Sequence, residues 1–205
     1  GSSVAGVERY LGLASSTLDL APHIVNYIRG EEGAVEGWRN RTIDADGDGV
    51  VEALRLGDIV HSSPLAVGRP DEDYSTRYSD TSYTAFRQQY RDRRVMIYAG
   101  ANDGMLHAFN GGFYDEDTNG FQTDAGAGET AHPLGSEIWA YVPQNLLPHL
   151  RWLTQPEYSH VYYVDGSPES FDVNIFPDDA DHPGGWGTIL VVGFRLGGGD
   201  QTIDI

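Results

Sequence analysis

The stretch RVMIYAGANDGMLHAFNG, residues 94–111, predicts a β-hairpin. Its centre, Asn102-Asp103-Gly104, is a strong turn signal because Asn, Asp and Gly tolerate the left-handed backbone of tight hairpin turns. Apolar runs flank this turn over residues 95–99 and 106–109. Two antiparallel strands joined at the turn are therefore expected.

The sequences on both sides extend this hairpin into a repeated unit. GDIVHSSPLAVG (57–68) supplies a strand and a Ser-Pro turn before the hairpin, and SEIWAYVP (136–143) supplies a strand after it. The pattern returns in HVYYVDGSPESFDVNI (160–175) and GTILVVGFRLGGGDQTIDI (187–205), which ends in an alternating strand. Strands repeated in this order are typical of propeller blades. The sequence therefore predicts an all-β fold, a partial β-propeller of about two four-stranded antiparallel blades.

Short helices are expected as insertions between the strands. An apolar face over residues 20–28 predicts a helix with Asp19 as its N-cap and Gly30 as its stop. Two further short helices are predicted over 82–90 and 144–150. The predicted strands are 58–67, 95–99, 106–109, 137–142, 161–164, 171–175 and 188–192.

The chain divides into two parts on this pattern. Residues 1–40 form a predicted helical lead-in, and residues 41–205 form the partial propeller. The polar runs 113–132 and 177–187 are rich in Asp and Gly, and we expect them to be surface insertions.

Charge and composition exclude several classes of function. The 205 residues carry a net charge of −18, and all 13 basic residues are arginine. Such a surface repels nucleic acid and anionic lipid and favours cations or basic partners. The absence of cysteine excludes disulfides, cysteine zinc sites and thiol catalysis. No apolar run approaches the length of a membrane span, so membrane insertion of this segment is not expected.

An acidic stretch, TIDADGDGVVEALRL (42–56), precedes the first predicted blade. Asp44, Asp46 and Asp48 occupy alternate positions, Gly49 permits a turn, and Glu52 follows. Calcium prefers six to eight oxygen ligands, and carboxylates on a tight turn can supply them. Four carboxylates this close repel one another strongly without a cation. We therefore predict calcium binding, with a solvated acidic turn as the alternative.

The spacing of this loop differs from that of an EF-hand. Position twelve, where an EF-hand has a bidentate acid, is Arg55, and the acid falls at position nine instead. The spacing resembles shorter calcium loops found between the strands of propellers. The predicted ligands are the side chains of Asp44, Asp46, Asp48 and Glu52 and the main-chain carbonyl of Val50.

Other polar clusters are weaker candidates for metal binding. They are Asp115, Asp117 and Asn119; Asp178, Asp179, Asp181 and His182; and the pair His61 and His107. The first lacks an acid at position nine or twelve, so a disordered acidic insertion is the preferred interpretation. The second is expected to be a solvated loop. For the two histidines we expect separate hydrogen bonding rather than a shared metal.

Several blocks of the chain resemble one family in sequence and in order. The blocks are VNYIRG, WRNRTID, LGDIVHSSP, AGANDGMLHAF, EIWAYVPQNLLPHL and HVYYVDGSP. They occur in this order in the C-terminal, quinoprotein-like propeller of the PilY family, the tip-associated adhesins of type IV pili. The resemblance covers most of residues 23–205. A full propeller needs more blades than this chain holds, so the chain is expected to be a fragment.

The resemblance implies a function as well as a fold. It implies a propeller at the pilus tip, outside the cell after export through the periplasm, with calcium-dependent control of pilus extension and retraction. Minor pilins and a host or abiotic surface are the implied partners. The PilY family carries a calcium loop of similar spacing, although Asp is more usual there at the position of Glu52.

Two other functions remain open from the sequence. One is a quinoprotein dehydrogenase, in which a propeller holds pyrroloquinoline quinone and calcium. The vicinal cysteine pair of many such enzymes is missing, and no acid-base constellation is recognisable, so we expect no catalysis. The other is a generic calcium-stabilised propeller that binds partner proteins.

Overall fold

The computed structural model describes residues 10–33, 35–123 and 130–198. Its strands are β1 (Thr42–Ile43), β2 (Glu52–Ala53), β3 (Leu65–Val67), β4 (Val95–Gly100), β5 (Leu106–Asp115), β6 (Gly120–Gln122), β7 (Glu137–Tyr141), β8 (Pro168–Asn174) and β9 (Trp186–Val192). Its α-helices are α1 (Ala21–Ile28), α2 (Tyr74–Arg77) and α3 (Thr81–Gln89). Segments of 3-10 type are Ser15–Leu20, Gln144–Thr154, Pro183–Gly185 and Arg195–Gly198. Among the described residues, no helix has the length and apolar content needed to cross a membrane.

Four antiparallel strands form the first blade in the order β3-β4-β5-β7. Strands β4 and β5 pair around the predicted turn at 102–104, with Tyr98 opposite Ala108. Ala108 also pairs with Trp139 of β7, and Tyr98 also pairs with Leu65 of β3. This sheet is a four-stranded antiparallel blade, and the predicted fold class is confirmed.

Strand β5 extends past its predicted end at Phe109 and folds back into β6, with Tyr114 opposite Phe121. The register of β4 against β5 shifts at Val95. Glycine is required opposite this shift, because a Cβ on Gly111 would lie 2.9 Å from the Val95 carbonyl oxygen. Part of the run that we expected to be a surface insertion is therefore a β-hairpin.

Two predicted strands differ from the structure. The strand expected over 58–67 is regular only at Leu65–Val67, and residues 161–164 form no strand. Side chains and loops satisfy the backbone there instead: the Tyr163 N–H donates to Asn102 Oδ1, and the Val164 N–H donates to the Ala101 carbonyl. Tyr163 and Val164 are fully buried, so their apolar pattern reflects burial rather than strand pairing.

The second blade is represented by β8 and β9, which pair antiparallel with Phe171 opposite Ile189. Strands were predicted at both places, over 171–175 and 188–192. The further strand predicted at the end of the chain, through Ile203 and Ile205, lies outside the described residues.

The helices follow their predicted positions, with one correction at a cap. Helix α1 ends at Ile28 with Arg29 as its C-cap, and Gly30 follows with φ +103°. The Gly30 and Glu31 N–H groups donate to the carbonyls of Tyr27 and Asn26. This is a Schellman ending, which favours glycine. Asp19 is not the N-cap, because a 3-10 turn precedes α1 and Leu20 occupies the cap position without a side-chain bond.

The other two predicted helices are present with shifted bounds. Helix α3 begins after Asp80, whose carboxylate accepts hydrogen bonds from the N–H groups of Ser82 and Tyr83. The segment Gln144–Thr154 is a 3-10 helix that contains Pro148.

Helix α1 packs into the main core beside the first blade. Ile24 and Tyr27 of α1 belong to the same buried cluster as Leu106 and Tyr163. The Tyr27 hydroxyl donates to the Leu153 carbonyl at 3.0 Å. The described part of the helical lead-in is therefore in contact with the propeller segment, and a domain boundary at residue 40 stays a prediction.

Candidate metal site

The predicted calcium loop is the turn of a short hairpin. Strands β1 and β2 pair antiparallel, with Thr42 opposite Ala53 and Ile43 opposite Glu52. Residues 44–51 connect them. The hairpin brings the two ends of the loop together, so its side chains converge on a small volume.

Aspartate side chains hold the backbone of this loop in a tight turn. Asp44 accepts hydrogen bonds from the N–H groups of Gly47 and Gly49, at 2.7 and 3.0 Å. Asp48 accepts one from the Val50 N–H at 2.7 Å. Gly47 and Gly49 have φ of +78° and +86°, a region that L residues rarely adopt. The glycines at these positions therefore permit the turn that gathers the carboxylates.

Three of the predicted ligands come together. Asp44, Asp46 and Asp48 each offer a carboxylate oxygen, and these oxygens lie within 4.8 Å of one another. Among the described residues, no arginine or histidine forms an ion pair with them. Three negative charges at this separation repel one another, and a hard cation with oxygen ligands would relieve the repulsion.

Of the remaining two predicted ligands, the Glu52 carboxylate lies outside this group of three, and the Val50 carbonyl stays a prediction. Glu52 is on β2, and its carboxylate is not among the oxygens within 4.8 Å. Val50 is exposed, and its N–H faces Asp48. Because calcium takes six to eight oxygens, three carboxylates leave positions for further ligands or water. The donor set fits calcium, with Asp44, Asp46 and Asp48 as its centre.

The hairpin is attached to the body of the protein at both ends. Before β1, the Arg41 guanidinium pairs with Glu32 and donates to the Tyr27 carbonyl of α1. After β2, the Gly57 N–H donates to Asp103 Oδ2 at 2.7 Å, in the turn of the first blade. The loop therefore lies between two anchored segments, and its conformation is coupled to both α1 and the blade.

The weaker candidates have local roles in the structure. Asp115 Oδ1 accepts from the N–H groups of Asp117 and Thr118 and so closes the turn between β5 and β6. These residues form the turn of a β-hairpin, whereas we expected an irregular insertion. Asp179 likewise accepts from the backbone of Asp181 and His182. Within the described residues, the carboxylates and histidines of these two sets form no group of three potential ligands.

His61 and His107 belong to two separate networks, as expected. His61 Nδ1 lies 2.7 Å from Oδ2 of Asp165, whose side chain is fully buried. His107 Nε2 lies 3.0 Å from Asp103 Oδ2, and its Nδ1 lies 2.5 Å from Glu137. Burial lowers the pKa of His107, but the two neighbouring carboxylates outweigh it and hold that pKa above its usual 6.5.

These partnerships were not predicted, although the repeat contains a signal for one of them. His61 and Asp165 occupy the same position in GDIVHSSPLAVG and HVYYVDGSP, so equivalent positions of successive repeats are in contact. Ser63 and Ser167 also occupy equivalent positions of the two repeats, and the Ser63 N–H donates to the Ser167 hydroxyl at 2.9 Å. Aligning the repeats would have found both contacts.

Comparisons with a family model and with curated proteins identify the same family. The family model described as PilY1 beta-propeller domain matches residues 56–205. A protein of Xylella fastidiosa, named type IV pilus biogenesis factor PilY1 homolog, is 34% identical over 177 residues, which is 85% of this chain and 12% of that protein. The type IV pilus biogenesis factor PilY1 of Pseudomonas aeruginosa strain PAO1 is 34% identical over 151 residues, 70% of this chain and 10% of that protein.

The chain therefore corresponds to about a tenth of the length of these relatives. No solved structure matches it. The family match covers the described first blade, both strands of the second and the turn between β4 and β5. On the strength of that match, the chain belongs to the PilY1 β-propeller domain family.

Proposed function

We propose that this chain is a noncatalytic, calcium-binding propeller segment of a type IV pilus protein. The main observation behind this proposal is that the carboxylates of Asp44, Asp46 and Asp48 lie together on a closed turn. The chain that carries this turn belongs to the PilY1 β-propeller domain family. The relatives are named as pilus biogenesis factors. We place this chain with them at the cell surface, on the pilus tip.

In this proposal the segment supports pilus assembly, the balance of extension and retraction, and adhesion. Its partners are minor pilins and a host or abiotic surface. The net charge of −18 supports basic protein partners and argues against nucleic acid.

The role of the ion follows from the position of the loop. A bound calcium would supply the positive charge that three clustered carboxylates lack. Without it, repulsion between Asp44, Asp46 and Asp48 loosens the turn. Because Arg41 and Gly57 fix the two ends, a looser turn weakens the connection between α1 and the first blade. Calcium would thus control the rigidity of this connection rather than the existence of the fold.

We expect calcium to bind the 205-residue chain and to raise its free energy of unfolding. The stabilisation is about 2.7 kcal/mol at a calcium concentration one hundred times Kd. Magnesium should stabilise less, because it demands smaller octahedral geometry and retains its waters. Isothermal titration of chelator-treated protein, together with thermal unfolding at several calcium concentrations, measures both effects.

Asp44→Asn is the informative variant, because the amide oxygen can still accept the Gly47 N–H while the charge is lost. It should bind calcium far more weakly and show little calcium-dependent stabilisation. Asp115→Asn is the control for loss of a charge in an exposed turn, since Asp115 Oδ1 alone accepts two backbone N–H groups there, whereas Asp44 uses both of its oxygens. If wild type shows neither heat nor a calcium-dependent shift in melting temperature, the loop is only an acidic turn and the proposal fails.

The proposed absence of catalysis has its own test. Purified protein mixed with pyrroloquinoline quinone, calcium and a redox dye should reduce no dye in the presence of alcohols or sugars. Dye reduction that depends on both the quinone and the protein would instead support the hypothesis of a quinoprotein dehydrogenase.

A further inference from the structure

A cavity of about 500 Å³ lies between α1, the first blade and the 3-10 helix Gln144–Thr154. Its volume is within the range of sites that bind small molecules. The apolar part of its wall is built by Ile24, Ile28, Met105, Phe109, Val142 and Leu150. None of its lining residues belongs to the acidic loop 44–52.

Two arginines line the same cavity. Arg29 follows α1, and Arg55 follows β2. Their guanidinium groups have no ion-pair or hydrogen-bond partner among the described residues. This is unusual in a chain of net charge −18, in which most of the other described arginines bond a carboxylate, a carbonyl or an aromatic ring.

The structure holds these two arginines at neighbouring places. The Arg55 side chain crosses the Cα of Gly30, the residue after Arg29, and a Cβ on Gly30 would lie 2.3 Å from Arg55 Nε. Glycine at this helix end therefore provides both the left-handed backbone and the room for Arg55. Both arginines are exposed, and two positive groups without an ion-pair partner at the mouth of an apolar cavity attract an anion.

The acidic group in the wall does not cancel this charge. Glu137 lines the cavity, but its carboxylate lies 2.5 Å from His107 Nδ1. His107 is itself bonded to Asp103, and these carboxylates hold its pKa above the usual value. A ligand head group would meet Arg29 and Arg55 at the exposed mouth of the cavity, and the Glu137 carboxylate in the wall is already paired with His107.

We propose that this cavity binds an amphipathic carboxylate with a single apolar chain, such as a medium-chain fatty acid. The carboxylate pairs with Arg29 and Arg55, and the chain lies along Ile24, Ile28 and Phe109. Guanidinium groups bind carboxylates through charge-assisted hydrogen bonds, and the apolar wall removes the chain from water. A cationic amphiphile of the same length would meet repulsion from both arginines.

Titration of the 205-residue chain with decanoate, below its micelle-forming concentration, tests the proposal by calorimetry. We expect saturable one-to-one binding with Kd below about 1 mM. Arg29→Gln and Arg55→Gln should each raise the Kd of decanoate about 10-fold and leave the Kd of decanol unchanged. Ala140→Phe, which fills the cavity from β7, should abolish the binding of both probes.

Arg195→Gln is the matched control, because Arg195 is exposed, has no described partner and lies away from the cavity. It should leave the Kd of decanoate unchanged, and melting temperatures should show that all variants are folded. The proposal is wrong if no saturable binding occurs, or if decyltrimethylammonium binds as tightly as decanoate. It is equally wrong if decanol binds as tightly as decanoate and the arginine variants alter neither, since the cavity then takes uncharged ligands.

Discussion

Replacing His107 with leucine is expected to lower the free energy of unfolding by about 3–5 kcal/mol. The His107 side chain is only 4% exposed and connects two carboxylates, those of Asp103 and Glu137. Leucine fills a similar volume but leaves the Asp103 carboxylate, itself 8% exposed, without a counter-charge. Removing one partner of a buried ion pair costs more than the pair contributes, because the other charge stays buried.

The cost extends beyond the histidine because Asp103 organises the turn of the first blade. Asp103 Oδ2 accepts from the Gly57 N–H, and Oδ1 accepts from the Met105 N–H. The same carboxylate therefore closes the hairpin at 102–104 and attaches the segment that follows the acidic loop. Movement of the uncompensated carboxylate towards water would break both contacts.

The stabilisation that His107 contributes to the folded state should decrease as the pH rises. Its pKa is raised above 6.5 in the folded chain, so the folded state binds the proton more tightly than the unfolded state. The stabilisation from this proton is fully present below about pH 6.5 and is lost as the pH rises through the folded-state pKa. The difference in stability between wild type and His107→Leu should therefore be larger near pH 6 than near pH 9.

Urea unfolding at both pH values measures this difference. His160→Gln is a control, because His160 also pairs with an aspartate, Asp58, but its side chain is 40% exposed. An exposed pair contributes about 0–1 kcal/mol, so this variant should change little. A difference between wild type and His107→Leu that is independent of pH, or that grows towards high pH, would show that the buried imidazole is not the titrating group.

The sequence predicted those parts of the fold that depend on local signals. The hairpin at 94–111 was predicted because a three-residue turn signal stands between two apolar runs, and strands β4 and β5 pair there. The three aspartates of the acidic loop were predicted to lie together for a similar reason, since their spacing and the glycines fix a short turn.

Other features depend on contacts between distant residues and gave no local signal. Tyr163 and Val164 have the composition of a strand, but their backbone groups bond to the loop at 101–102. The Arg55 side chain lies against Gly30, the residue after Arg29, only because α1 ends beside the segment after β2. The sequence shows that both arginines are present, but it does not show that the end of α1 and the segment after β2 lie side by side.

Replacing Gly166 with alanine is the other change expected to have a large effect, a loss of about 3 kcal/mol in the free energy of unfolding. A Cβ at this position would lie 1.9 Å from the Gly193 carbonyl oxygen and 2.7 Å from its carbon. The neighbouring atoms are backbone, so no side-chain rotation can relieve the overlap. The segments before β8 and after β9 would have to separate.

Separation there would also disturb the contact between the two blades. Gly166 stands between Asp165 and Ser167, which bond to His61 and to the Ser63 N–H of the preceding repeat. Urea unfolding of Gly166→Ala should therefore show a lower midpoint. Hydrogen exchange should show lost protection at the Ser63 N–H, at the junction of the blades.

Gly193→Ala tests the same contact from its other side. A Cβ on Gly193 would meet no atom within 4 Å, and this substitution should change stability by less than about 0.5 kcal/mol. Equal effects of the two substitutions would mean that the backbones do not approach as closely as this. The first repeat has Ser62 at the position of Gly166, and the Ser62 hydroxyl accepts the Gly100 N–H there. The first repeat therefore does not require glycine at this position, whereas the carbonyl of Gly193 imposes that requirement on the second repeat.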